Sequence, residues 1–498
     1  MLKEKLETYI NLFAWERKPS GLIALGLIIL ALVVLAIARP DAAAFQQMFY
    51  MMCAGMRGPV SVFCYLCLGV LTFLVCSRYG NVRLGGKKAK PEYSTFSWLS
   101  CLFMAGCGIG VVYYCQEPIL NFHGNPYYGQ VWGDGQAVAY SLSLFNWTIN
   151  DWSQFALLGV ILAYFHYNCG KDLRLSSVLP AKTPLWVRRT VDIIMALGVI
   201  AGLTTSLGLG AVQLSEGMGH VFETSVNPYV LMFFMAVVAL WSVTSGLHKG
   251  IKWLSNITSV LVGVLLLALL CIGVFGHQIY NFISYIGKGM LLLFVNFVNY
   301  GDFWNGDTTL WAAEKPIFNN LWFAAWAAFV AVFVAKISKG RTIRQFIFGV
   351  VVVPTLFTII WFGIFGRVGI EYNELIYENM RSNVSTALFV FYQSITSTGY
   401  YVLLSALTLV AICLLFITSS DSGSYVVATL LSREKYVSAA DKVLWATIQC
   451  LVAMALYWYG DLILVQSASV IMGIVVMVVM SIGTYYFIQK LIQKEKSK

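Results

Sequence analysis

The sequence contains twelve apolar runs, each close to the roughly 20 residues that an α-helix needs to cross a bilayer. They cover residues 20–38, 58–77, 97–116, 138–165, 191–212, 228–245, 254–276, 317–336, 345–366, 399–418, 443–459 and 462–487. A water-soluble core cannot absorb them. The chain is 59% hydrophobic and 11% charged, where ordinary globular domains carry about 25% charged residues. The last two runs meet at a tight turn, Tyr459-Gly460-Asp461. Residues 277–300 are apolar but interrupted by Lys288 and several Asn, which suits a helix on the membrane surface or in a loop.

The Lys and Arg residues test this layout. With the N-terminus inside and the spans alternating, 27 of the 33 fall inside and 6 outside. This is the positive-inside bias of a helical membrane protein. It sets both termini in the cytoplasm and assigns the net charge of +10 to topology rather than to nucleic acid. The first run ends Ala36-Ile37-Ala38, like a signal-peptide cleavage site, but it exceeds the h-region length and many similar runs follow. A retained first span is the better reading. Most of the 11 cysteines lie inside apolar runs, and Cys64 and Cys67 read as small buried hydrophobes one turn apart.

Enzyme motifs are missing. There is no G-x-x-x-x-G-K-[ST] loop and no H-E-x-x-H, and the five histidines show no ligand spacing. The chemistry-bearing patterns lie within the spans. The third span holds Gly106, Gly108 and Gly110. Gly106 and Gly110 fit close helix packing; all three fit an unwound segment whose backbone lines a cavity. In the fifth span Gly198, Gly202, Ser206 and Gly210 recur every four residues as a packing seam. The eighth carries Phe318, Trp322, Trp326, Phe329 and Phe333 along one face, with Phe323 beside Trp322. Those rings form either a packing stripe or, with Trp147 and Trp152 of the fourth span, a cage for a cation held by ring faces. Thr418 and Ser419 end the tenth run as helix-capping hydroxyls or as oxygen ligands for a small hard cation, with Asp421 beyond them at the cytoplasmic edge. Asp151, an acid within the fourth span, is functional by default.

Five segments in order resemble the betaine/carnitine/choline transporter (BCCT) family. They are Ala105-Gly106-Cys107-Gly108-Ile109-Gly110 followed by Glu117-Pro118; Thr205-Ser206-Leu207-Gly208-Leu209-Gly210 with Gln213; Lys249-Gly250-Ile251-Lys252-Trp253-Leu254-Ser255-Asn256; Ala335 to Arg344; and Phe416-Ile417-Thr418-Ser419-Ser420-Asp421-Ser422-Gly423. The resemblance implies an all-α membrane protein of twelve transmembrane helices. Two extra N-terminal helices (1–95) would precede an inverted pair of five-helix repeats (96–300 and 301–498). It implies a cell-membrane secondary transporter of a small trimethylammonium solute, an osmoprotectant such as glycine betaine, choline or carnitine, bound by Trp147, Trp152, Trp322, Phe323 and Trp326 against Gly106, Gly108 and Gly110. No cofactor, catalytic residue or nucleic-acid partner is implied. The family's tendency to trimers implies a homotrimer in membrane lipid, with 277–300 at the contact.

The departures concern coupling. Where the family's betaine carriers place two threonines of one sodium site, this chain has Val199 and Leu203. The arginine that fills the second site in sodium-independent exchangers is replaced by Thr258, and Ser419 is kept. The expectation is sodium-stimulated transport through one site of Met104, Cys107, Thr418 and Ser419, with exchange, proton coupling and a non-quaternary solute as alternatives. Asn320 stands where the family has an aromatic, Cys107 where it has Met, and Asp151 is unexpected. The long tails of osmosensing members are not in this sequence, so no steep response to osmolality is expected.

Overall fold

The computed structural model describes residues 19–38, 42–107, 109–124, 135–245, 250–272, 279–298, 313–370, 377–379, 382–431, 437–458 and 462–496. Helices cover most of the described part of each expected span, and no strand occurs among the described residues. In chain order the helices are α1 (Pro19–Ala38), α2 (Ala42–Gly55), α3 (Arg57–Cys76), α4 (Thr95–Cys107), α5 (Gly110–Tyr113), α6 (Glu117–Gly124), α7 (Gly135–Trp147) and α8 (Ile149–Cys169). They continue with α9 (Leu185–Phe222), α10 (Pro228–Ser245), α11 (Gly250–Leu270), α12 (Ile279–Val298), α13 (Phe318–Ile337), α14 (Ile343–Ile347) and α15 (Val353–Gly369). The last are α16 (Ala387–Ile395), α17 (Thr398–Leu431), α18 (Ala439–Trp458) and α19 (Leu462–Lys496). Among the described residues, eight helices are long and apolar enough to cross a membrane by length and composition alone. The turn at 459–461 lies outside the described residues.

Several expected spans change shape. The third is not continuous: α4 stops at Cys107 and the chain restarts as α5 at Gly110. The fourth breaks at Thr148, whose φ and ψ of −121° and −131° fit neither helix. The tenth does not end near residue 418. It runs on to Leu431, so Thr418 and Ser419 sit mid-helix. Asp421 is buried rather than solvent-facing: it is 1% exposed, and its Oδ2 accepts from Ser242 Oγ at 2.8 Å. The apolar pattern could not show this, because one buried acid with a hydroxyl partner does not interrupt a helix. Helices α2, α6 and α16 were not foreseen; each is shorter than a span.

Burial sorts the helices. The most apolar window around α13 is 100% buried, and that of α11 only 28%. Apolar residues of α1 such as Ile29 and Leu30 stay exposed, as suits a lipid-facing helix. The packing pairs also follow a rule. α9 packs on α17, and α10 on α18. α10 packs on α17 as α18 does on α9; α11 on α4 as α19 on α13; α11 on α17 as α19 on α9; α4 on α17 as α13 on α9. Exchanging each helix with its counterpart five spans later maps this set of contacts onto itself.

One end of the bundle is fastened by the segment Ala335 to Arg344. Arg341 lies over the Trp98 ring at 4.7 Å and donates to the Tyr93 carbonyl at 2.9 Å. Trp98 Nε1 donates to Ser338 Oγ at 2.9 Å, and Arg83 donates to the Gly340 carbonyl at 2.6 Å. Thr342 and Gln345 form a capping box that starts α14. Gly340 has φ +79°, and a Cβ there would lie 2.3–2.5 Å from the Lys90–Pro91 backbone. Gly340→Ala therefore adds left-handed strain and a backbone clash, on the order of 1–3 kcal/mol. The expected result is a clear drop in the thermal unfolding temperature of the detergent-solubilised protein. An unchanged midpoint would show that this clasp does not hold the bundle together.

Candidate functional site

The two broken spans meet at one cavity. Gly106, Gly110, Trp147, Phe155, Ser206, Leu209, Trp322, Phe323 and Trp326 line a space of about 360 Å³, open solvent included. α7 delivers Trp147 at its last residue, immediately before the break at Thr148. α13 delivers Trp322, Phe323 and Trp326 from its first half. The rings brace one another: Trp147 meets Trp322 and Phe323 edge-on at 6.4 and 5.7 Å, and Phe155 stacks on Phe323 at 5.3 Å. Such arrangements fix ring planes more firmly than apolar contact alone.

The glycines explain how the rings fit. A Cβ on Gly106 would lie 2.6 Å from Trp152 Cζ3, and one on Gly110 would lie 3.1 Å from Trp147 Cη2. Gly202 of the fifth-span seam faces Trp326 Nε1 at 3.2 Å in the same sense. The open alternative for the third span thus takes both answers: the backbone is interrupted, and its glycines are seats for tryptophans.

Of the sequence-singled residues, Trp147, Trp322, Phe323, Trp326, Gly106 and Gly110 share the cavity. Trp152 does not line it. It sits behind Gly106, stacked on Phe103 at 6.5 Å, and it is 1% exposed. Gly108 lies outside the described residues, as does the Cys107 side chain. Phe155, Ser206 and Leu209 line the cavity without having been singled out. Phe155 sits one turn beyond Asp151 on α8, a signal lost among many aromatics. No lining side chain is ionisable. Trp322 lines both chambers, and its Nε1 is buried with no partner among the described residues.

The four residues singled out for a cation lie on α4 and α17, which pack together. α4 ends at Cys107, and the last four carbonyls of a helix have no partner within that helix. Ser419 Oγ is buried with no partner among the described residues. Thr418 Oγ1 bonds back to the Leu414 and Leu415 carbonyls at 3.0 and 2.9 Å. Free carbonyls and one unpaired hydroxyl suit a hard monovalent cation. Val199 and Leu203 are buried apolar residues, with Leu203 against Gly423. Thr258 Oγ1 donates to the Leu254 carbonyl of its own helix at 2.8 Å.

A second, polar chamber of about 460 Å³ adjoins the first and shares Trp147 and Trp322 with it. Glu117, Asn146, Lys315, Asn319, Gln466 and Tyr114 are among its lining residues. Glu117 accepts from Asn146 Nδ2 at 2.7 Å and from Trp147 Nε1 at 2.5 Å, which fixes the indole plane from outside the cage. Tyr114 meets Trp147 and Trp322 at 5.7 and 6.2 Å and receives a bond from Gln466 at 3.0 Å. Trp147, Trp322 and Tyr114 therefore form the partition between an apolar cage and a polar antechamber.

Residues 22–496 match the family described as BCCT, betaine/carnitine/choline family transporter. A glycine betaine/proline/choline/ectoine transporter of Vibrio parahaemolyticus is 32% identical over 409 residues, covering 78% of this chain and 70% of its own. An ectoine/hydroxyectoine transporter of Virgibacillus pantothenticus is 31% identical over 446 residues, 86% of each chain. A solved sodium-coupled sialic acid symporter aligns over 88% of this chain and 87% of its own, at 13% identity and a TM-score of 0.46. The chain belongs to the BCCT family; it is a membrane transporter and not an enzyme.

The two glycine seats differ in tightness, and substitutions at them separate folding from binding. Gly106→Ala must displace the buried Trp152 ring, and is expected to lower the unfolding temperature strongly. Gly110→Ala asks Trp147 to shift by a few tenths of an ångström. It is expected to fold near-normally while changing the intrinsic tryptophan fluorescence and weakening ligand affinity. Equal behaviour of the two variants would contradict this geometry.

Proposed function

We propose that this BCCT-family transporter carries a small trimethylammonium solute of the glycine betaine, choline or carnitine class, held between Trp147, Trp322, Phe323 and Trp326, and couples its movement to sodium. The observation that carries the reading is the cavity wall: five aromatic rings and no ionisable side chain. A primary ammonium there would find Ser206 Oγ as the one polar side-chain acceptor among the described lining residues for its three N–H groups, at the cost of unpaired buried donors. A quaternary ammonium has no N–H to satisfy and is attracted by ring faces, by about 0.5–2 kcal/mol each when desolvated. The unpaired Trp322 Nε1 supplies a donor for the carboxylate of a zwitterionic solute. Relatives named for glycine betaine and choline agree with this class, and those named for ectoine or proline mark the competing, non-quaternary outcome.

The proposed frame is twelve spans in the cell membrane with both ends cytoplasmic. Residues 96–300 and 301–498 are inverted five-helix repeats behind an N-terminal pair within 1–95. The Lys and Arg asymmetry supports the topology, and the self-mapping of helix contacts supports the repeat. Because five is odd, a helix and its counterpart cross in opposite directions. A homotrimer with α12 at the contact fits that helix's exposed apolar face, which includes Tyr280, Leu291 and Phe294. One sodium site between the end of α4 and α17, made by the Met104 and Cys107 carbonyls with Thr418 and Ser419, fits the unpaired Ser419 hydroxyl.

Trp326→Leu keeps much of the volume and removes a ring face. It is expected to weaken binding of the preferred trimethylammonium compound by about 1–2 kcal/mol, roughly 5- to 30-fold. Calorimetry against betaine, choline, carnitine, ectoine and taurine reads this directly. A preference for a solute without a quaternary ammonium would overturn the cage reading.

Thr418→Ala combined with Ser419→Ala is expected to raise the sodium concentration for half-maximal uptake into liposomes. Uptake that persists unchanged when potassium replaces sodium would exclude sodium coupling.

A further inference from the structure

One polar cluster in the span region plays no part in the cage or the cation site. Asp151, in the first turn of α8, is 0% exposed. Its Oδ2 accepts one bond, from Asn319 Nδ2 at 3.1 Å, and its Oδ1 has no partner among the described residues. The neighbouring amides give it nothing more. Asn150 and Gln154 donate to Asn320 Oδ1 at 3.0 and 3.1 Å, and Cys64 Sγ donates to the same oxygen at 2.9 Å. The titratable groups facing Asp151 are Glu117, another carboxyl, and Cys64. Glu117 differs sharply in its compensation. It has two short donors, and Lys315 lines the same chamber. Two carboxyls close together, one well compensated and one with a single donor, is the arrangement that separates an anion from a proton carrier.

A buried carboxylate with one hydrogen bond and no cation is expensive. Binding a proton removes the charge and turns the unpaired oxygen into a donor. The polar chamber lies one side chain away: Asn319 lines it and also donates to Asp151, as well as to the Asn146 carbonyl. The two partners sit on the helices that build the cage. Asp151 precedes Trp152 on α8, and Asn319 lies three residues before Trp322 on α13. Loss of the proton would leave a charge at the α8–α13 contact, and that charge must draw water or further donors by moving one helix against the other.

We propose that Asp151, with Asn319, forms a proton site linked to the cage, so that proton binding and solute binding alter one another's affinity. Linkage makes the effect reciprocal. This rests on the solute reading given above, and it adds a titrating group that is separate from the sodium ligands.

The test uses the full-length protein. Solute affinity is measured from mildly acid to mildly alkaline pH for the parent, Asp151→Asn and Glu117→Gln. The parent is expected to vary by up to about tenfold per pH unit, the limit for one linked proton. Asp151→Asn mimics the protonated acid and is expected to show the parent's low-pH affinity at every pH. Glu117→Gln is expected to keep the pH dependence. A parent-like profile in Asp151→Asn, or a profile lost only in Glu117→Gln, overturns the proposal. Calorimetry on the parent in two buffers of different ionisation enthalpy counts the protons exchanged on solute binding, and a count of zero also overturns it. If no solute binds, the cage reading fails on its own. Infrared titration of the ligand-free protein then still decides the proton site: a carboxylic-acid carbonyl band present in the parent and missing in Asp151→Asn supports it, and its absence from the parent refutes it.

Discussion

Inside a bilayer no water is available to satisfy backbone N–H and C=O groups, so irregular backbone survives only where it faces protein or a cavity. The structure is organised around two such irregularities, the gap between α4 and α5 and the break at Thr148. Both border the same aromatic cavity. The break lets α7 and α8 present Trp147 and Trp152 in different directions, and the glycines of the gap receive both rings. Close approach of bare backbone to indole is thus what makes the cavity, and the cavity in turn is what makes the broken backbone tolerable.

Around this centre the polar groups are distributed by what they can be paired with. α13 is wholly enclosed, so its two asparagines must find partners, and they do so across α3, α7 and α8. Glu117 is held by the side chains of Asn146 and Trp147, which ties the antechamber to the cage wall. Asp421 takes a hydroxyl from α10 instead. At the far end, where loops meet, charge is used freely: Arg83, Arg341 and Arg344 bind backbone carbonyls, and Lys339 pairs with Glu92 at 2.9 Å. The exposed Lys339–Glu92 pair adds little stability; the guanidinium–carbonyl contacts that knit three loops together matter more.

The contact pattern links this architecture to transport. Helices exchanged five places along the chain make equivalent contacts, and the cavity lies where the first helix of one set, α4–α5, meets the first of the other, α13. In the proposed pair of repeats, a site shared between the two halves is one that their relative movement would open to one side or the other. Trp147, Trp322 and Tyr114 stand between cage and antechamber.

Sequence alone determined the membrane class and the approximate positions of the long helices, because lipid imposes apolar length residue by residue. It also identified most of the aromatic residues that come together, through their spacing on α13 and a family resemblance. Tertiary structure decided the rest. Trp152 became the support behind Gly106 because a break of one residue turned it away from Trp147. Phe155 and Leu209 entered the cavity because other helices brought them there. Asp421 proved buried and Asp151 found a single amide partner. Local pattern sets which surface a residue offers its own helix, whereas burial and pairing depend on which helix arrives opposite it, and that is a property of the assembled bundle.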